Sequence, residues 1–314
     1  MTEALQSVIV ADRLTKRFPG VCAVDALSFD VRPGEIFGLV GPDGAGKTTT
    51  LRMLAGIMAP DAGNASIAGI DVGREPERAK HELSYMPQRF GLYEDLTVDE
   101  NIRFYADLFG VKRARREARA TELLQAAGMS EFRKRLAGKL SGGMKQKLGL
   151  VCALIHHPKV ILLDEPTTGV DPVSRRDFWK ILYALIAEGV AILTSTAYLD
   201  EAERCHRVAL LHQGRLLFCD TPANLKSKMR KSVLSIPSQD SRAVRNQLAN
   251  ADGLSSLVLT GDGLHVVVDD ASRRIPEFSA ALTAAQIPFG AIRQVAPSIE
   301  DLFVDAVSGG ADNG

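Results

Sequence analysis

The sequence predicts an α/β fold built around a phosphate-binding loop, with a small α+β domain after it. Three observations predict this. The segment Gly41-Pro42-Asp43-Gly44-Ala45-Gly46-Lys47-Thr48-Thr49 stands between the apolar run Ile36-Phe37-Gly38-Leu39-Val40 and a helical stretch, Leu51-Arg52-Met53-Leu54-Ala55. A second apolar run, Val160-Ile161-Leu162-Leu163, ends in the adjacent carboxylates Asp164 and Glu165. Beyond Thr221-Pro222 the pattern restarts in the order β-α-β-β-α-β, that of a ferredoxin-like unit.

The loop carries the chemistry. In a G-x-x-x-x-G-K-[ST] pattern the glycines reach backbone angles closed to other residues, so successive N–H groups converge on phosphate oxygens at a helix N-terminus. Lys47 is then placed to reach the β- and γ-phosphates, and the Thr48 hydroxyl to ligate Mg²⁺. The flanking strand and helix set this loop apart from a glycine-rich turn that binds nothing.

Composition bounds the rest. A chain of 314 residues with 46% hydrophobic and 24% charged residues has the makeup of a soluble globular protein with one large domain or one and a companion. Lys+Arg and Asp+Glu both number 38, so no global field favours nucleic acid or an anionic surface. The four cysteines, Cys22, Cys152, Cys205 and Cys219, are far apart and read as reduced thiols. No signal-peptide pattern follows Met1-Thr2-Glu3-Ala4, and no apolar run approaches the roughly 18 residues of a membrane span. A cytosolic chain is expected, with membrane contact only through a partner.

Taken in order, Val8-Ile9-Val10 and Ala26 to Val31 read as strands, with Pro33-Gly34 turning into the strand before the loop. Phe18, between the first two, is open to two readings: an aromatic that stacks on a base, or a core residue. Pro60 to Gly63 reads as a turn, Ala65 to Ala68 as a strand, Pro76 to Glu82 as a charged helix and Leu83 to Pro87 as a strand ending at Gln88. Thr97-Val98-Asp99-Glu100 is a capping box opening a helix to about Leu108, closed by Gly110.

Residues 111–138 read as helical and basic, with Lys112, Arg113, Arg115, Arg116 and Arg119 followed by Arg133, Lys134 and Arg135. A solvated face and contact with lipid head groups or a partner are both open. Ser141-Gly142-Gly143 opens a helix with Met144, Leu148, Val151, Cys152 and Ile155 at helical spacing, a second helix N-terminus with bared N–H groups. Side chains alternate along a strand, so Asp164 and Glu165 cannot do the same job; one suits Mg²⁺ and the other a reacting water.

Asp171-Pro172 opens a long helix containing Trp179, read as packing. Val190 to Ser195 is a buried strand, and a hairpin turns at Gln213-Gly214. Lys226, Lys228, Arg230 and Lys231 mark a polar linker at 223–231. An accessory domain follows at 232–307, with His265 alone in a strand, and then a disordered tail at 308–314.

Together these motifs resemble the ATP-binding-cassette (ABC) ATPases over residues 7 to about 220. Gly41 to Thr48 is the phosphate loop, Gln88 centres the glutamine loop, and Leu140 to Lys147 looks like the cassette signature. Val160 to Glu165 resembles the second nucleotide motif with its catalytic glutamate, and Gly169-Val170-Asp171 the aspartate loop. The resemblance implies the cassette fold of P-loop NTPases, a RecA-like core with antiparallel β and α-helical subdomains, over 7–222, the helical part at about 90–158. Gln88 to Thr97, Thr168 to Pro172, Tyr198 to Glu203 and Pro297 to Phe303 further resemble the ATPase subunits of ABC-2-type exporters.

That resemblance implies ATP and Mg²⁺ as ligands, with Lys47, Gln88 and Glu165 catalytic and Thr48, Gln88 and Asp164 about the metal. It makes Phe18 the adenine-stacking aromatic. It also implies two cassettes, identical or different, each ATP lying between one chain's loop, Gly41 to Thr49, and the other's Ser141, Gly142 and Gly143. An integral membrane permease is the implied partner, nucleic acid is not, and the chain is expected at the inner face of the cell membrane. Phe90-Gly91-Leu92-Tyr93 suits a groove for a permease segment, with ordinary loop packing as the other reading. A soluble cassette switch on ribosomes or nucleic acid is the alternative function, and a nucleotide-binding module with little turnover another.

Two departures stand out. Asp43 replaces the asparagine common in the loop, and Ala197, in Ser195-Thr196-Ala197-Tyr198, stands where the family has a histidine contacting the γ-phosphate. Loss of such a group can cost on the order of 10²- to 10⁴-fold in rate.

Overall fold

A computed structural model describes residues 7–309 of the chain. They form two compact units, one running up to Tyr198 and including Cys205–Leu216, the other made of Leu199–Arg204 and the chain from Leu217 onward.

The first unit opens with β1 (Ile9–Phe18), β2 (Val21–Val31), β3 (Ile36–Val40), α1 (Lys47–Leu54), β4 (Ala62–Ile67) and β5 (Ile70–Asp71). β2, β1, β4 and β5 make an antiparallel sheet in that order. Both strands of the first hairpin are longer than the sequence suggests, because its register shifts between Ala11 and Leu14 and again up to Arg17. Arg13 and Ala26 take φ of 48° and 47°. Such bulges break the period-2 alternation by which a strand is read.

Next come α2 (Pro76–Glu82), β6 (Leu83–Met86), α3 (Val98–Leu108), α4 (Arg113–Ala126), α5 (Gly142–Leu154), β7 (Val160–Asp164), α6 (Pro172–Ala187) and β8 (Ala191–Thr196). Thr97 and Glu100 cap α3 reciprocally, as the sequence predicts. The expected helix over 111–138 is shorter: it stops at Ala126, where Gly128 turns with φ 65°. Arg133 is then drawn off the helix line by Asp99, at 2.9 Å, and Glu117. Nor is the basic face wholly solvated, since Arg119 is buried and pairs with Glu122 at 2.8 Å and Glu188 at 3.2 Å.

α7 (Leu199–Ala202) belongs to the second unit, and β9 (Arg207–His212) and β10 (Arg215–Asp220) follow it. The central sheet has the order β10-β9-β3-β8-β7-β6, with β9, β3, β8, β7 and β6 parallel. Every residue of β3, β7 and β8 is buried, which explains their unbroken apolar runs. Val40 pairs with Thr196 and Asp164 with Ser195, so the strands end level, at the edge where open parallel sheets present their ligand crevice.

The second unit continues through α8 (Pro222–Ser227), β11 (Ser232–Pro237), α9 (Ser241–Leu248), β12 (Leu254–Leu259), β13 (Gly263–Val268), α10 (Ala271–Ala284), β14 (Arg293–Val295) and α11 (Ile299–Gly309). Its antiparallel sheet has the order β12-β13-β11-β14, a ferredoxin-like arrangement, closed by Leu234, Ile236, Val266, Phe278 and Leu282. The division at Leu216/Leu217 lies earlier than the expected boundary at 222, and the segment read as a linker is tied down. Asp220 accepts from Thr221 N, Asn224 and Lys228, Lys226 reaches Glu203, and α11 packs on α7 and α8. His265 is not alone: its Nδ1 lies 3.1 Å from an oxygen of the fully buried Asp301, which also accepts from the Ser298 N–H and hydroxyl. α11 includes Ser308 and Gly309, where the tail was expected to begin, and 310–314 lie outside the described residues.

Candidate functional site

The loop from Gly41 to Gly46 joins the buried end of β3 to the first turn of α1, where Lys47, Thr48 and Thr49 follow. Gly46 is the N-cap residue with φ 98°, and a Cβ there would stand 2.3 Å from the Ala23 carbonyl oxygen, so only glycine fits. Gly41 donates to Thr196 O at 3.3 Å and Gly214 N to Ala45 O at 3.2 Å, which fixes the loop against β8 and the β9–β10 turn. Pro42, Asp43 and Gly44 form its exposed tip.

Lys47 is 4% exposed, and its Nζ donates to Gly41 O at 2.8 Å and Pro42 O at 3.0 Å and pairs with Glu165 Oε1 at 3.2 Å. One ammonium thus faces both the loop and the second motif.

The two carboxylates diverge, but not by strand alternation: β7 ends at Asp164, and Glu165 turns away with a left-handed backbone. Asp164 Oδ1 accepts from the Thr48 hydroxyl at 3.0 Å and the Ser195 hydroxyl at 2.7 Å, and Oδ2 from Tyr85 at 3.2 Å. Burial and the Asp164 charge push the Tyr85 phenol up to about 12, so it remains a donor. Glu165, at φ 48°, turns its carboxylate instead to Lys47 and to Gln88 Nε2 at 3.2 Å. Its backbone N–H is held by Ser195 O and Oγ. The Thr48 hydroxyl and Asp164 carboxylate are hard oxygen donors of the kind Mg²⁺ takes alongside substrate phosphates. Gln88, expected near the metal as well as the water, is bonded to Glu165, and among the described residues no bond joins it to Thr48 or Asp164.

Phe18 is 43% exposed at the end of β1, opposite Val21, which removes the core reading. Its hairpin abuts the loop, since the Ala23 carbonyl is the group that crowds Gly46.

Ser141 caps α5 through Met144 N, and Ser141 and Gly142 are exposed. Gly143 lies against α6, where a Cβ would stand 2.4 Å from Ser174 Oγ. Asp171 caps α6, and hydrogen bonds from the Ser174 backbone and side chain hold its carboxyl below the usual range. Among the described residues no hydrogen bond joins Ser141, Gly142 or Gly143 to the phosphate loop of the same chain. The phosphate loop and second motif come together; the signature does not join them.

A cavity of about 570 Å³ is lined by Ile57, Tyr85, Phe90, Tyr105, Leu108 and Cys152 among others. Phe90 packs on Gly149 of α5 and lies tilted against Tyr105, ring centroids 5.0 Å apart, while Tyr93, Phe104 and Leu108 are exposed. Tyr85 and Ser195 went unassigned from sequence. Their signal was only position: Ser195 pairs with Asp164 across the sheet, and Tyr85 stands three residues before Gln88.

Comparison with known proteins decides the family. Residues 24–168 match the ABC transporter family model. The Nod factor export ATP-binding protein I of Paraburkholderia xenovorans is 40% identical over 268 residues, 85% of this chain and 88% of the relative. The chain belongs to the ABC transporter family, as an ATP-binding cassette. The ABC cassette is also 39% identical to the daunorubicin/doxorubicin resistance ATP-binding protein DrrA of Streptomyces peucetius, covering 76% of this chain and 73% of that one. It is 43% identical to the probable multidrug ABC transporter ATP-binding protein YbhF of Escherichia coli (strain K12) over 96% of its own length. There it spans about half, 52%, of the relative. An ATP-binding subunit of an ABC transporter of solved structure matches with 31% identity and a TM-score of 0.65, over 71% of this cassette and 93% of that chain. The fold of the cassette predicted from its motifs is therefore correct.

Proposed function

We propose that the chain binds and hydrolyses MgATP between two paired cassettes and so drives a separate export permease in the membrane. The observation that carries this reading is the convergence of Lys47, Thr48, Asp164, Glu165 and Gln88 at the carboxyl ends of β3, β6 and β7. Lys47 and the loop N–H groups bind and orient the β- and γ-phosphates. Thr48 and Asp164 hold Mg²⁺, which when bound spreads negative charge from the phosphate oxygens. Glu165 takes the proton of the attacking water, and Gln88, bonded to it, keeps the carboxylate and water in line. Phe18 stacks on the adenine. The exposed Ser141-Gly142 turn, lying apart from the loop, supports its use in completing a second cassette's site.

Among the described residues no helix is long and apolar enough to cross a membrane. The aromatic groove lined by Tyr85, Phe90 and Tyr105 is the surface of suitable shape for a permease segment, and the names of the relatives, multidrug, Nod factor export and daunorubicin resistance, support export. The second unit has no phosphate loop and acts as an accessory to dimer closure or partner contact. Co-purification from membranes with an integral membrane protein, lost on Phe90→Asp, is the expected result. Salt-sensitive association with ribosomes and no membrane partner would overturn the transport reading.

A further inference from the structure

The end of β6 presents two polar side chains, three residues apart, and each holds one of the two carboxylates. Gln88 Nε2 bonds Glu165 at 3.2 Å and the Tyr85 hydroxyl bonds Asp164 at 3.2 Å. β6 is an edge strand, paired in the sheet with β7 alone, so it has more freedom than the strands inside the sheet. Tyr85 lines the 570 Å³ cavity with Phe90, Tyr105 and Phe109, whose rim also carries Glu77, Lys80 and His81, while its hydroxyl bonds Asp164 Oδ2. A phenol turns about only two side-chain bonds, so ring and hydroxyl move together.

We infer that Tyr85 is a positioning residue linking the groove to the metal-holding carboxylate, so that an apolar segment seated in the groove adjusts Asp164 through this one side chain. The link rests on the proposed binding of MgATP. Asp164 Oδ1 is fixed by two hydroxyls, Thr48 and Ser195, whereas Oδ2 takes a side-chain hydrogen bond from Tyr85. Removing the phenol oxygen leaves the carboxylate held through Oδ1 alone, with Oδ2 no longer fixed by this bond, and metal affinity falls while the loop's grip on phosphate is untouched. Displacement of the ring by an occupant of the groove acts at the same point.

The test is binding of a fluorescent ATP analogue to the full chain, in EDTA and across a Mg²⁺ titration. Tyr85→Phe keeps the ring and removes only the hydroxyl. The Mg²⁺ concentration for half-maximal tightening should rise about tenfold, the scale of one hydrogen bond to a charged group, with EDTA affinity unchanged. An unchanged Mg²⁺ midpoint overturns the assignment. Leu108→Trp, at an exposed position lining the groove, fills it and should shift the Mg²⁺ midpoint when residue 85 is Tyr but not in the Tyr85→Phe background. Equal shifts in both backgrounds overturn the link to the groove. Failure of the wild-type chain to bind the analogue under any condition overturns the nucleotide reading itself, and is read from the wild-type chain alone.

Discussion

Lys47 Nζ lies 3.2 Å from Glu165 Oε1, so the residue proposed to grip phosphate and the residue proposed to activate water share one ion pair. Under the proposed function, phosphate oxygens drawn to Lys47 would compete with that carboxylate and leave it to Gln88, to which it is already bonded. Glu165→Gln removes the charge but keeps the shape and an amide that can still face Gln88. Turnover should fall by at least about 10²-fold, the low end of general-base contributions, with nucleotide binding retained and a dimer accumulating in ATP. Steady-state phosphate release and size-exclusion chromatography read the two effects; wild-type turnover in this variant would remove Glu165 as the base.

Lys47→Ala should act at an earlier step. The ammonium is buried and makes the charged contacts to the loop, so its loss removes phosphate binding rather than the water's activation. Affinity for ATP should fall on the order of 10²-fold, corresponding to the loss of one or two hydrogen bonds to a charged group. Equilibrium binding of a fluorescent analogue measures it.

Much of this site was legible because its chemistry is local in sequence. The loop's glycines, Lys47 and Thr48 are contiguous, and Asp164 and Glu165 end a strand whose burial shows as an unbroken apolar run. The bonds that tie these segments together join residues far apart in the chain, as Ser195 joins Asp164 and Tyr85 joins it from the other side. Nothing in local spacing marks such residues. The hairpin of β1 and β2 was underestimated for another reason: bulges near Arg13 and Ala26 erase the alternation. The pairing of His265 with Asp301 escaped because its partners lie 36 residues apart on different elements.

His156 makes stability depend on pH. Burial pushes its imidazole from the usual 6.5 down to about 4, against the hydrogen bond to Leu83 O that favours the charged form. The unfolded chain therefore binds this proton at a higher pH than the folded one. Its contribution is full above pH 6.5 and is lost as pH falls toward 4, on the order of 1–2 kcal/mol by pH 5. His156→Gln keeps a donor for Leu83 O and cannot titrate. Melting temperatures at pH 7.5 and 5 should differ less in that variant than in the wild type.

A chain ending at Lys231 tests the accessory role of the second unit. It loses α11, whose packing on α7 and α8 covers Ala202 and Leu225, so it should melt at a lower temperature and self-associate more readily. Every group proposed to hold nucleotide remains, and affinity for ATP should stay within a few-fold. Loss of nucleotide binding in a folded shortened chain would move part of the site into the second unit.

Ala197 poses the last question. Thr196 O accepts from Gly41 N at 3.3 Å, so the next residue stands at the lip of the phosphate loop, exposed, where a longer side chain has room. Two arrangements are proposed: the cassette pairs with a different one, turning over slowly at its own site while lending its signature, or it pairs with itself and relies on Gln88 and Glu165. Both readings keep Glu165 at work. Ala197→His restores an imidazole beside the γ-phosphate position and should raise turnover of the isolated chain on the order of 10²-fold if that group limits the rate. Phosphate release at saturating ATP measures it, with nucleotide affinity as the control for intact folding. Unchanged turnover in a folded variant places the limit elsewhere, and Asp43→Asn at the exposed tip of the loop then becomes the substitution that should raise it.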